Sequence, residues 1–153
     1  MKLRPLLVGA LAVLALAPGK VLAQDLGIRE AAFMAGQTLD CSGCNLAGLS
    51  LTRRNLAGAD LSNANLENAS FHDANLRGAN LSGVHAAYAN FDLANLTSAN
   101  FTGADLTEAL FFAASASGAD FSGAMLADAR MGNAVLIRAI LENADLSRAD
   151  LAG

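Results

Sequence analysis

The sequence predicts an all-β solenoid, a chain that turns once every five residues and stacks its turns into a rod. Three observations predict it. Large apolar residues recur at every fifth position from Leu46 to Leu151, with Ala86 and Ala116 the two gaps in the series. A small residue stands two places before each, and it is Ala in 18 of the 22 pentads that run without insertion from 44 to 153, so one narrow and one wide side chain recur at fixed spacing. The last place of the pentad collects Gly48, Gly58, Gly78, Gly83, Gly103, Gly118 and Gly123, which suit a turn.

The alternatives fail on periodicity. In an α-helix a step of five residues advances each Leu by about 140° around the axis, so no single apolar stripe forms. The frequent Asn, Asp and Gly also disfavour a helix interior. In a straight strand the Ala and Leu of one pentad share a face, but an odd repeat sends the next pair to the other face. A turn in every pentad keeps both inside. Coils stacked about 4.8 Å apart then pair their backbones with the coils above and below. Pro occurs only at 5 and 18, ahead of the repeat, so no ladder donor is missing.

The first 23 residues read differently. Lys2 and Arg4 open the chain, an apolar run from Leu6 to Ala17 follows, and Val21-Leu22-Ala23 offers small residues at a cleavage site. The run is too short to span a bilayer, and the pattern is that of a secretory signal peptide over 1–23, with a mature start at Gln24 and no membrane association after cleavage. Losing Lys2, Arg4 and Lys20 moves the formal charge from −4 to −7. An acidic domain without Lys opposes nucleic-acid binding, which needs clustered cations.

Two cysteines, Cys41 and Cys44, form a CxxC with no second CxxC or His cluster to complete a zinc site. An exported compartment favours a structural disulfide, with free thiols and redox or metal work as the other readings. No cofactor is expected.

The local motif Ala-(Asn/Asp)-Leu-x-x, as in Ala59-Asp60-Leu61, Ala74-Asn75-Leu76, Ala104-Asp105-Leu106 and Ala144-Asp145-Leu146, resembles that of the pentapeptide-repeat family. The resemblance covers 44–153 and implies a right-handed quadrilateral parallel β-helix of about 5.5 coils, a rod about 26 Å long. Residues twenty apart then stack, with Leu46, Leu66, Ala86, Leu106, Leu126 and Leu146 on one inner side and Leu51, Phe71, Phe91, Phe111, Met131 and Leu151 on the next. Ala86 and Ala116 are expected to leave gaps or draw neighbours inward. Arg54, at a small-residue place, is expected to reach water at an open rim.

The stretch from Cys41 to Leu46 resembles the entry to exported family members, where a short helix and a CxxC precede the first full coil. The cap segment is therefore 24–43, with a short N-terminal capping helix over residues 25–35. In this expectation Asp25 is the N-cap, Gly36 ends the helix, and Leu26, Ile28, Ala32 and Phe33 cover the core end. Some family members dimerise end to end, which implies a possible homodimer through the C-terminal coil.

Candidate sites are few. His72 and His85 fall at different places of the pentad and read as solvated surface residues. Asp60, Asp105, Asp120, Asp145 and Asp150 recur because the motif alternates Asp with Asn. The sequons at Asn68, Asn80, Asn95 and Asn100 are generated by the repeat itself. The informative irregularity is apolar residues at outward places: Leu93, Leu110 and Phe112 on one side, then Val135, Ile137 and Ile140 about a coil later, together a candidate protein-binding patch.

These readings point to a non-enzymatic structural or protein-interaction module of the bacterial periplasm or secreted fraction, its partner an unknown protein. Acidic family members that mimic DNA act on DNA gyrase in the cytosol, which is the alternative; the signal peptide argues against it. A filled solenoid has no cleft for an enzyme site.

Overall fold

The computed structural model describes residues 27–153, so the expected signal sequence 1–23, Asp25 and Leu26 lie outside the described residues. From residue 39 onward the chain is a right-handed, four-sided parallel β-helix. Residues twenty apart pair in parallel up each side, as in the column Asp40, Asp60, Asn80, Asn100, Asp120 and Ile140. Five steps of that column make a rod about 24 Å long. Pairing begins at Asp40, so the stack includes one pentad ahead of the repeat read from 44.

Four inward ladders define the sides. Side 1 carries the Leu46 ladder and side 2 the Leu51 ladder. Side 3 runs Leu56, Leu76, Leu96, Ala116 and Leu136, and side 4 runs Cys41, Leu61, Leu81, Phe101, Phe121 and Leu141. Large residues of these ladders are buried from Cys41 to Met131, and the Ala two places before them is buried alike.

One pentad shows why the motif reads as it does. The amide of Ala99 closes the corner onto Leu96 O at 2.9 Å. Those of Phe101 and Gly103 donate to the following coil, at Asp120 O and Ser122 O, and that of Asn100 donates to the preceding coil at Ala79 O. The fifth amide, on Thr102, points out of the ladder and is accepted by the Asn100 side chain, Oδ1, at 2.9 Å. Asn or Asp in the second place thus satisfies the one donor that the stack leaves over. The same bond recurs at Asp60, Asn65, Asn75, Asp105, Asp120 and Asp145.

Each corner ends on a left-handed residue, with φ from 54° at Ala113 to 69° at Gly58. Glycine takes this conformation without cost, and Asn or Asp nearly so. Leu93 at 61° and Tyr88 at 61° are the bulky apolar and aromatic exceptions.

The two Ala gaps are offset by aromatic rings. The coil of Ala86 also holds Phe91, Leu96 and Phe101, and the next holds Leu106, Phe111, Ala116 and Phe121. Each thus carries two Phe, one Leu and one Ala where a regular coil carries four Leu, which conserves most of the core volume. Rings on one side stack, Phe91 on Phe111 at 5.1 Å and Phe101 on Phe121 at 5.0 Å. Rings of sides 2 and 4 meet edge to face, Phe91 against Phe101 at 5.6 Å.

At the N-terminal end helix α1 (Ile28–Met34) covers the core. It starts at Ile28 behind Gly27, which supplies no side-chain cap, so the helix is shorter than the expected 25–35. Gly36 follows in the left-handed region, φ 73°. Phe33 is fully buried, but Ile28 is 93% exposed and covers nothing, contrary to expectation. Polar contacts hold the helix instead. Arg29 donates to Ser42 O, and the Glu30 carboxylate accepts the Asn45 amide. Arg54 does not extend into water: its guanidinium donates to Phe33 O at 3.2 Å and lies 6.0 Å from the Phe33 ring centroid. Cys41 and Cys44 are joined by a disulfide across the first corner, and both are buried beneath this cap.

The bonds to Asp side chains have a pH consequence. Asp120 is held below its ordinary value of 3.8, first by the Ser122 hydroxyl and then by the Ser122 amide. Asp145 is lowered in the same way by Ser147, and Asp40 by Ser42 with the amide first. A depressed carboxylate stabilises the fold above its unfolded-state value, and that contribution is lost as pH falls through the folded value. Chemical denaturation is therefore expected to show a midpoint that is flat above about pH 5 and declines below about pH 4. Asp120→Asn keeps an acceptor for the Ser122 amide and is expected to shrink the decline; an unchanged acid limb refutes the assignment.

Candidate interaction surface

Side 2 departs most from its own motif where Leu93, Leu110 and Phe112 meet. Leu110 occupies the place that Asn or Asp fills elsewhere, so the following amide loses its usual acceptor. Asp92 of the preceding coil replaces it, accepting the Phe112 amide at Oδ1 at 2.7 Å. Leu93, at the corner one coil below, pairs with the same pentad through its amide and Phe112 O at 2.9 Å. Leu93 is 50% exposed and Phe112 52%, while Leu110 is half-buried between them.

Above this cluster the side chains retreat. Gly132 follows Phe112 one coil on, and a Cβ built on it would meet the Phe112 ring at 3.6 Å, so the ring lies along bare backbone. The result is an open groove of about 550 Å³ lined by Leu110 and Phe112, by Asp92, Arg130 and Asp150, and by the backbone of Gly132. Arg130 also sits at an Asn/Asp place, and its guanidinium has no hydrogen-bond or ion-pair partner among the described residues; Arg148 with Asp128 is the ion pair found there.

Val135, Ile137 and Ile140 do not join this cluster. Val135 pairs with Ser115 on side 3, Ile137 stands at the corner after it, and Ile140 pairs with Asp120 on side 4. All three belong to the last coil and are 41%, 66% and 48% exposed, so they wrap a rim rather than extend one face. Met125, 47% exposed at the outward place of side 1, is a further apolar residue that the sequence reading passed over.

The corner after side 1 is polar. Tyr88, Glu108, Asp128 and Arg148 stack there; the Glu108 carboxylate beside the Tyr88 phenol pushes it above its usual range, while Arg148 holds Asp128 low. His72 lies at the corner after side 2 and His85 on side 1, so the two do not converge. Among the described residues no polar or charged side chain is buried, and no three His, Cys, Asp or Glu group to hold a metal ion. No helix there is long and apolar enough to cross a membrane.

The comparisons with known proteins agree with the geometry. A pentapeptide repeat protein, Rfr23, from the cyanobacterium Cyanothece 51142 superposes with a TM-score of 0.74 over 81% of this chain and 96% of its own, at 24% identity, a likeness of fold alone. A pentapeptide repeat protein of the Arabidopsis thaliana thylakoid lumen is 37% identical, with a TM-score of 0.58 over 59% of this chain and 63% of its own, so the match spans less than two thirds of that protein. No curated protein matches the sequence. The family model for pentapeptide repeats matches in 8 copies over residues 40–78, 74–111 and 117–153. On that match, which takes in nearly the whole of the described rod, the chain belongs to the pentapeptide-repeat family.

Proposed function

We propose that this chain is a non-enzymatic interaction module, exported to the bacterial periplasm or beyond, that binds a protein partner through side 2. One observation carries the reading: three departures from the motif, each a local cost, coincide at one place. Leu93 holds a left-handed backbone that Gly or Asn would take more easily. Leu110 gives up the Asn/Asp acceptor, and Phe112 leaves half an aromatic side chain in water. Scattered apolar surface residues need no explanation, but a contiguous cluster beside a groove is what an interface centre requires. The basic start and apolar run ahead of Gln24 support export. The thylakoid lumen, where the Arabidopsis relative resides, is likewise reached by crossing a membrane.

The test is a photo-crosslinking side chain placed at Phe112 and, as a control, at Thr97 on the neighbouring corner, in cells that express the chain. A discrete adduct from position 112 and none from 97 is the expected result. Equal labelling from both, or none from 112, overturns the reading.

A further inference from the structure

We propose that the partner seated on side 2 is a second copy of this chain, laid antiparallel across the Leu110 and Phe112 level; the inference rests on the interaction reading above and specifies its partner. The argument is the order of groups along the rod. One coil below the apolar centre stand Asp92 and the protruding Leu93; one coil above stand Arg130 and the bare backbone of Gly132. The sequence of the face is therefore acid and knob, apolar centre, base and hole.

A two-fold axis across the rods at the level of Phe112 exchanges the coil above with the coil below. Arg130 of each copy then comes opposite Asn90 of the other, with Asp92 two places along the same level, within reach of the long guanidinium side chain, and the contact forms twice. Leu93 of each copy faces the space over Gly132 and Asn133 of the other, and the Leu110 and Phe112 pairs bury one another. A parallel arrangement brings Arg130 to the level of Arg130 and Leu93 to the level of Leu93 and leaves Arg130 two coils from Asp92, so charge and shape select the antiparallel one.

Within one chain Arg130 and Asp92 are two coil steps apart, about 9.6 Å along the rod, and they form no ion pair. Asp92 is already oriented, since Oδ1 holds the Phe112 amide and Oδ2 has no partner among the described residues. At the next levels out Asp150 comes opposite Ser70, with His72 and Asp73 further along at the corner. One side of a rod about 24 Å long offers less than the ~800 Å² per partner of a standard interface, which places the dimer among the weak associations.

Sedimentation velocity over a concentration series tests this with the purified chain and the variants Arg130→Asp, Asp92→Arg and the two combined, each checked for an unaltered thermal transition. The parent is expected to approach twice the monomer mass, either single variant to weaken association by about tenfold or more, and the double variant to recover it. A parent that stays monomeric to about 1 mM overturns the inference. So does a dimer that neither Arg130→Asp nor Phe112→Ser weakens, because it pairs through another surface such as the last coil. The crosslink at position 112 separates the two levels: an adduct with a different protein sinks the second copy and keeps the interaction reading, and no adduct sinks both.

Discussion

Leu96→Asp is expected to abolish the cooperative thermal transition, while Thr97→Asp, one residue further on, melts within a few degrees of the parent. Leu96 is fully buried on side 3, stacked between Leu76 and Ala116, with Phe91 and Phe101 at the flanking sides of the same coil. An unpaired carboxylate there finds no donor, since the coil amides around it are committed to neighbouring carbonyls. The cost is several kcal/mol or more, set against a total stability of about 5–15 kcal/mol. Thr97 lies at an outer corner, and the bonds made there are from its backbone, the amide donating to Asn95 Oδ1 and the carbonyl accepting the Gly78 amide, both of which the substitution keeps. Circular dichroism melts of the two variants decide the inward register: equal behaviour would mean that the inside and outside of the coil have been exchanged.

Phe101→Ala carries the second largest expected effect, a loss of about 3–5 kcal/mol. The ring touches three others, Phe91 at 5.6 Å, Phe111 at 6.1 Å and Phe121 at 5.0 Å. It also belongs to the coil where Ala86 has already removed volume, so no adjacent Leu of side 1 is present to relax into the space. Phe71 is the comparison. It stacks on Phe91 alone among the aromatic pairs, in a coil whose other sides carry Leu66, Leu76 and Leu81. Its replacement by Ala is expected to cost less, by about the 0.5–1.5 kcal/mol that an aromatic pair adds beyond burial. Equal losses in urea denaturation would show that the rings act only as volume.

The rod was legible in the sequence because its pattern repeats without slippage. Ala and Leu two places apart, with Gly, Asn or Asp at the corner, leave one arrangement that keeps both inside, and Leu46 to Met131 are buried as that arrangement requires. The cap was legible only in outline. A helix of seven residues is under two turns, too short for periodicity to show which face is covered, so Ile28 could not be told from Phe33. Arg54 looked like a misfit in a small-residue place because its partner, Phe33 O, belongs to an element outside the repeat.

The candidate surface divides in the same way. That Leu93, Leu110 and Phe112 share a face follows from counting in twenties. That Asp92 replaces the missing acceptor for Phe112 does not, because the bond joins different places of two pentads and no repeat position announces it. The rim position of Val135, Ile137 and Ile140 depends on how much chain lies above them, which spacing alone does not express.

The uniform corner also makes length a quantised variable for this protein. Removing five residues from the regular part of the rod leaves the ladder amides with the same kind of acceptor and every large residue facing inward, but it rotates all that follows by a quarter turn. Removing twenty restores the rotation. A pentad lost between Leu93 and Leu110 would therefore carry Phe112 to the neighbouring side, away from Leu93 and Asp92, while the core stayed intact. Stability in such a fold tolerates change in steps of five, whereas any surface assembled from several coils tolerates it only in steps of twenty, so sequence drift by whole repeats can move or erase an interaction site without unfolding the molecule that bears it.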